Sequence, residues 1–164
     1  MATISPTTQR RLEIQGFVGI DEQTLAATAP WLRLAFGLCT VFAAAGTILA
    51  SPVFLYALAP IALLGAIFPV HPFDLIYNYG LRHFTRTPPL PKRGLPGRFA
   101  CGLGAVWLVA TAVAFQYGAL ITGYALGGML SVVGLLVSTI DICIPSLIFR
   151  TIFGFPPDSR KHTA

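Results

Sequence analysis

The stretch TILASPVFLYALAP, Thr47 to Pro60, joins two long apolar runs at Ser51-Pro52 with no charged residue at the junction. The first run is WLRLAFGLCTVFAAAGTILA (31–50) and the second is SPVFLYALAPIALLGAIFPV (51–70). As one helix they would extend about 60 Å, twice the roughly 30 Å of bilayer hydrocarbon. Length therefore excludes a single span. Proline lacks an amide hydrogen and disfavours helix for the residue before it, whereas Ser-Pro suits the cap and first position of a new helix. The junction predicts a tight hairpin of two spans, with Pro60 kinking the second.

Only 10% of the 164 residues are charged, 55% are hydrophobic, and the mean hydropathy is +0.73. Soluble domains carry about 25% charged residues, so the composition points to an integral membrane protein. The first 30 residues are mostly polar and lack the pattern of a cleavable signal peptide. A second pair of apolar runs, 98–118 and 119–144, meets at Gln116-Tyr117-Gly118. The expected fold is all-α and polytopic, with four transmembrane helices as two hairpins and an interfacial helix in the central loop. The expected segments are 1–30, hairpin 31–70, loop 71–97, hairpin 98–144 and tail 145–164.

The net charge of +5 carries topological information. Arg10, Arg11 and Arg33 precede or open the first span; Arg82, Arg86, Lys92, Arg93 and Arg98 fill the central connection; Arg150, Arg160 and Lys161 follow the fourth. The turns at Ser51 and Gln116 have none, so both termini and the central loop are expected on the cytoplasmic side. No basic helix face carries stacking aromatics, and nucleic acid is not an expected partner. In the loop, 72–84 suits an interfacial helix anchored by Tyr77, Tyr79 and Phe84, followed by an extended linker around Pro88, Pro89, Pro91 and Pro96. Pro145 is expected to end or kink the fourth span, with SLIFRTIFGF turning along the surface.

Several residues stand out against this background. Gly123, Gly127, Ser131, Gly134 and Ser138 form a small-residue stripe on one face of the fourth span, suited to close helix packing inside the unit or against a partner. Asp141, the sole acid in or near a span, is an ion or proton candidate, but its depth favours solvation or pairing with a loop arginine. His71 and His83 are candidate pigment or haem contacts; they flank one interfacial segment, so interfacial hydrogen bonding competes with ligation. Cys101 and Cys143 both fall near the cytoplasmic end of the second hairpin and are candidate reactive thiols, with small apolar filling as the alternative; Cys39 lies well inside the first span. The cysteine spacing supports neither a zinc site nor a disulfide framework, and hydrolase, nucleotide-binding and metalloprotease motifs are absent.

The segments GRFACGLGAVWLVATAVAF and STIDICIPSLIFRTIFG resemble the small bacterial membrane proteins grouped as domain of unknown function 4395, over about residues 31–154. The resemblance implies a Pro/Lys/Arg-rich linker, an Arg-Phe-Ala opening of the third span and a cysteine segment after the fourth. Many members carry CxxC where this chain reads Cys143-Ile144-Pro145-Ser146, so a dithiol role carried over from the family loses its second cysteine here. The family implies a bacterial inner-membrane location but no activity. The expected function is a non-catalytic accessory or stabilising subunit of a larger respiratory or photosynthetic complex. The alternatives are a membrane thiol-redox protein using Cys143 and a small oligomeric transporter. The sequence requires no cofactor, though bound lipid or pigment is compatible with it; expected partners are membrane lipids and other membrane subunits or copies of itself.

Overall fold

The computed structural model describes residues 4–157, and all regular structure among them is helical. Arg160, Lys161 and His162 lie outside the described residues. Helix α1 (Pro6–Gln15) is capped by the Ser5 hydroxyl, opened by Pro6 and stopped by Gly16 in the left-handed conformation. Helix α2 (Glu22–Ile48) begins nine residues before the expected Trp31, because Asp21 accepts a hydrogen bond from Thr24 N–H and the helix runs through Pro30. Its 27 residues reach about 40 Å, so the first turns extend beyond the hydrocarbon.

Helix α3 (Pro52–Ile67) starts where the Ser51-Pro52 junction predicts, with Ser51 as its cap and Ala50 left-handed at the turn. After it come α4 (Pro72–Ile76), a π-helical segment (Tyr77–Leu81) and α5 (Arg82–Thr85), which together form the expected helix of the central loop. An extended linker then leads to α6 (Leu95–Gln116) and α7 (Leu120–Ile140), and α8 (Ile144–Phe153) closes the order. The break after α7 comes at Asp141, left-handed at φ +58°, and not at Pro145, which sits inside the first turn of α8.

Among the described residues, three helices are long and apolar enough to cross a membrane: α2, α6 and α7. Helix α3, at 16 residues, passes that test only together with Pro72–Thr85, and the pair is bent by 82°. The spans therefore number three, or four if the bent pair counts as one. In the bundle, α3 packs on α6, α6 on α7, α7 on α2 and α2 on α3, which closes a ring of four helices. The two turns lie at one end, where Tyr56 O–H donates to Gln116 Oε1 at 2.8 Å. The ion pairs gather at the other end.

The core has three parts. Leu55, Leu58, Leu108 and Phe115 fill the turn end, closely approached by Ala43, Ala59, Ala62, Ala105 and Ala112. At the opposite end, Leu12, Phe17, Leu25, Leu32 and Leu90 enclose Tyr77. Tyr77 is therefore no interfacial anchor: it is fully buried and its hydroxyl bonds Thr87 and the Pro88 carbonyl. Tyr79 and Phe84 are 80% and 87% exposed, as an interfacial role requires. Between the two ends, Ala100, Val137 and Cys143 form a smaller cluster beside Phe36.

A thiol-lined cavity as the candidate functional site

The three cysteines lie on separate elements: Cys39 in mid-α2, Cys101 in the second turn of α6, and Cys143 at the cap of α8. The ring of helices turns all three toward one cavity of about 100 Å³, otherwise lined by aliphatic and aromatic groups of α2, α3, α6 and α7 together with His71. A cavity next to a small cluster follows from the sequence here. Ala62, Ala100, Gly104 and Gly134 supply too little bulk to fill the space between the helices.

His71 is 2% exposed and serves two surroundings at once. Its Nδ1 accepts the Phe73 backbone N–H at 3.2 Å, capping α4, and its Nε2 stands 3.8 Å from Cys39 Sγ. An accepting Nδ1 carries no proton, so the neutral ring is protonated at Nε2, on the cavity side. The ring packs against Gly65, where a Cβ would collide with the imidazole. His83 lies exposed on α5 and does not share this site. Both histidines are thus separate as pigment or haem candidates, and a tetrapyrrole is far larger than the cavity His71 faces.

Behind the thiols is a buried ion pair that neither the spacing nor the composition points to. Arg93 donates through Nε to Asp74 Oδ2 at 3.0 Å and through a terminal nitrogen to Asp74 Oδ1 at 2.9 Å, and both side chains are almost fully buried. Asp74 also accepts the His71 backbone N–H at 3.1 Å, completing a capping box. The Arg93 guanidinium stacks 4.7 Å from the Phe36 ring centroid. Burial disfavours the Arg93 cation, but the adjacent Asp74 carboxylate outweighs it, and the Arg93 pKa is raised above its ordinary value. The cation is permanent, and it lies within electrostatic reach of Cys39, Cys101 and Cys143.

Cys143 is held by Ser146, three residues on in the first turn of α8. The Ser146 hydroxyl is fully buried, 3.1 Å from Cys143 Sγ and 3.2 Å from the Pro96 carbonyl on α6. The Ser146 hydroxyl donates toward both the Pro96 carbonyl and Cys143 Sγ, sharing its one proton between them. Burial pushes the Cys143 thiol above its ordinary range, and the Ser146 contacts only partly offset this. Cys143 is thus tied to α6 through Ser146 and lines the same cavity as Cys101.

Asp141 faces away from the cavity into a cap at the end of α7. Its carboxylate takes two hydrogen bonds from Arg33, at 2.8 and 2.5 Å, and its backbone carbonyl accepts Gln15 at 2.9 Å. Arg33 also donates to Thr139 O and Arg11 to Ile140 O. The expected solvated or loop-paired acid is instead 3% exposed and paired with an arginine of α2. Through these bonds it joins α1, α2 and α7.

The small-residue stripe faces inward. Gly127 lies against Thr47 and Gly134 against Thr40, so closely that a Cβ at either would overlap the threonine. Gly123 lies against Phe115 in the same way. Ser131 and Ser138 return their hydroxyls to Gly127 O and Gly134 O, four residues back on their own helix. Among the described residues, no three His, Cys, Asp or Glu side chains are grouped to hold a metal ion.

No curated protein and no solved structure matches the chain. The family model described as domain of unknown function (DUF4395) matches residues 28–153, which takes in all of α2 but its first six residues, α3 to α8 and every residue around the cavity, but not α1. The chain belongs to the DUF4395 family.

Proposed function

We propose that this chain is a membrane thiol-redox protein whose working pair is Cys101 and Cys143, in a four-span bacterial inner-membrane bundle with both termini cytoplasmic. The observation that carries the reading is the convergence of three thiols from α2, α6 and α8 on one buried apolar cavity, under a permanent guanidinium. The reaction is a two-electron couple. Cys101 and Cys143 each lose the S–H hydrogen, one S–S bond forms, and two protons and two electrons pass to an acceptor dissolved in the bilayer. Two neutral thiols becoming a neutral disulfide leave no charge in the low-dielectric interior, which suits burial. Arg93 stabilises whichever sulfur is transiently anionic.

In this topology α3 is a short span that leaves the bilayer at the 82° bend, with α4, the π segment and α5 at the interface. All described basic residues then share the side opposite the two turns, in keeping with the positive-inside rule. A redox titration of the purified chain tests the function. The expected result is a single two-electron transition that removes two alkylatable thiols and is absent in Cys101→Ser. Three thiols that remain alkylatable under strong oxidant would overturn it.

A second reading, an accessory subunit of a larger membrane complex, draws on α7. This helix is the least covered of the spans, with Ile121, Met129, Val132 and Leu135 all exposed. Lipid suffices to cover such a face, and the small residues that invite a partner helix are already used inside the bundle. Purification in mild detergent decides between them: a stoichiometric larger assembly supports the subunit reading, and a clean monomer removes it.

A further inference from the structure

The polar groups lining the cavity are few, and all but one are committed. Thr40 O–H donates to Phe36 O at 2.7 Å and Trp107 N–H to Leu126 O at 3.1 Å. The exception is His71 Nε2–H, a buried donor aimed at the cavity with only a thiol at 3.8 Å as partner. A sulfur at that distance is a weak acceptor, so the site offers one directed hydrogen bond to an incoming oxygen. The wall between α6 and α7 is thin: Leu103, Gly104, Trp107, Leu130 and Val133 line the cavity and are half-buried. A Cβ at Gly104 would meet nothing, so the seam there is open toward the lipid side.

We propose that this cavity takes the ring of a lipid-soluble quinone, with His71 Nε2–H donating to one ring carbonyl, and that the quinone is the oxidant of the thiol pair. The inference rests on the thiol-redox reading and names its acceptor. The seam supplies part of the room: the cavity of about 100 Å³ is smaller than the roughly 150 Å³ of an engineered apolar cavity that holds one benzene, and a quinone ring fits by parting α6 from α7 at Gly104. Chemistry agrees as well. The lining rejects charged disulfides such as glutathione disulfide, since nothing there would compensate their desolvation, whereas a quinone ring is uncharged, flat and delivered through lipid. The electron count closes without another reactant: two S–H bonds break, one S–S bond forms between Cys101 and Cys143, and both quinone oxygens gain hydrogen to give the quinol.

The test uses the full chain, reduced, freed of reductant and reconstituted anaerobically in phospholipid nanodiscs with a short-tailed ubiquinone analogue. Quinone absorbance and alkylatable thiols are followed together, and the expected result is one quinone reduced for every two thiols lost. His71→Asn keeps a side-chain acceptor to cap α4 but withdraws the cavity donor; it should slow quinone reduction at least tenfold and leave oxidation by diamide unchanged. Gly104→Leu, at a site with room for a side chain, should slow quinone reduction at least as much by closing the seam. If diamide oxidises the thiols but the quinone is not reduced, or both variants react with it at the wild-type rate, the quinone site is wrong and the thiol function stands. If neither oxidant removes thiols, the thiol reading falls as well.

Discussion

Arg93 and Asp74 form the most heavily buried ion pair among the described residues, and each is the other's compensation. Removing one leaves a buried charge, which costs about 3–5 kcal/mol. Arg93→Leu should therefore lower the melting temperature in detergent far more than the exposed Arg86→Leu, and equal effects would contradict the pairing. The double variant Arg93→Leu/Asp74→Leu should recover most of that loss, because no charge remains uncompensated. Asp141 is paired with Arg33, whose side chain is 34% exposed, so Asp141→Asn should cost less, about 1–2 kcal/mol after solvent screening. It should leave any redox behaviour at the cysteines untouched, which separates the cap joining α1, α2 and α7 from the cavity. At this scale the sequence was legible only in part. The thiols and His71 stand out as residues, but that Cys39, Cys101 and Cys143 meet depends on helix rotation, which apolar composition leaves unspecified. Arg93 reads as one more basic residue of the linker, since nothing local announces that it folds inward onto Asp74.

Between helices, the α2–α7 contact rests on missing side chains. Gly127 and Gly134 admit Thr47 and Thr40, whose hydroxyls donate back to Ala43 O and Phe36 O and whose hydroxyl oxygens are the atoms a Cβ would meet first. Gly134→Leu should destabilise the bundle by about 1–3 kcal/mol through overpacking. Gly128→Leu, one position off the stripe with open space at its Cβ, should be neutral or slightly stabilising. A comparison of their thermal unfolding curves checks this, and a harmless Gly134→Leu would show that α7 does not pack as described. The stripe itself is read directly from the spacing of small residues, as is the start of α3 at Ser51-Pro52. The ends of α2 and α7 are not. Asp21 adds two and a half turns to α2 ahead of the apolar run, and Asp141 stops α7 before Pro145 through its left-handed backbone and its arginine partner.

For the whole molecule, the ring α2–α3–α6–α7 sets both turns at one end and the described arginines at the other. Single cysteines placed at Leu49, exposed at the turn between α2 and α3, and at Arg86 in a cysteine-free background should be labelled by membrane-impermeant maleimide from opposite sides, Leu49 from outside the cytoplasm. Labelling of both from one side would contradict the four-span topology and leave three spans. The hairpin plan follows from run length and charge placement, which act over tens of residues and survive without tertiary detail. The shortness of α3 and the 82° bend do not, because they depend on where His71 and Asp74 dock. The function rests on the cavity, and differential alkylation of native membranes followed by peptide mapping measures it most directly. The expected result is one intramolecular disulfide joining Cys101 to Cys143 in an oxidised fraction, with Cys39 still a free thiol. Finding Cys101 and Cys143 reduced in every membrane sample, oxidant-treated ones included, would contradict the assignment.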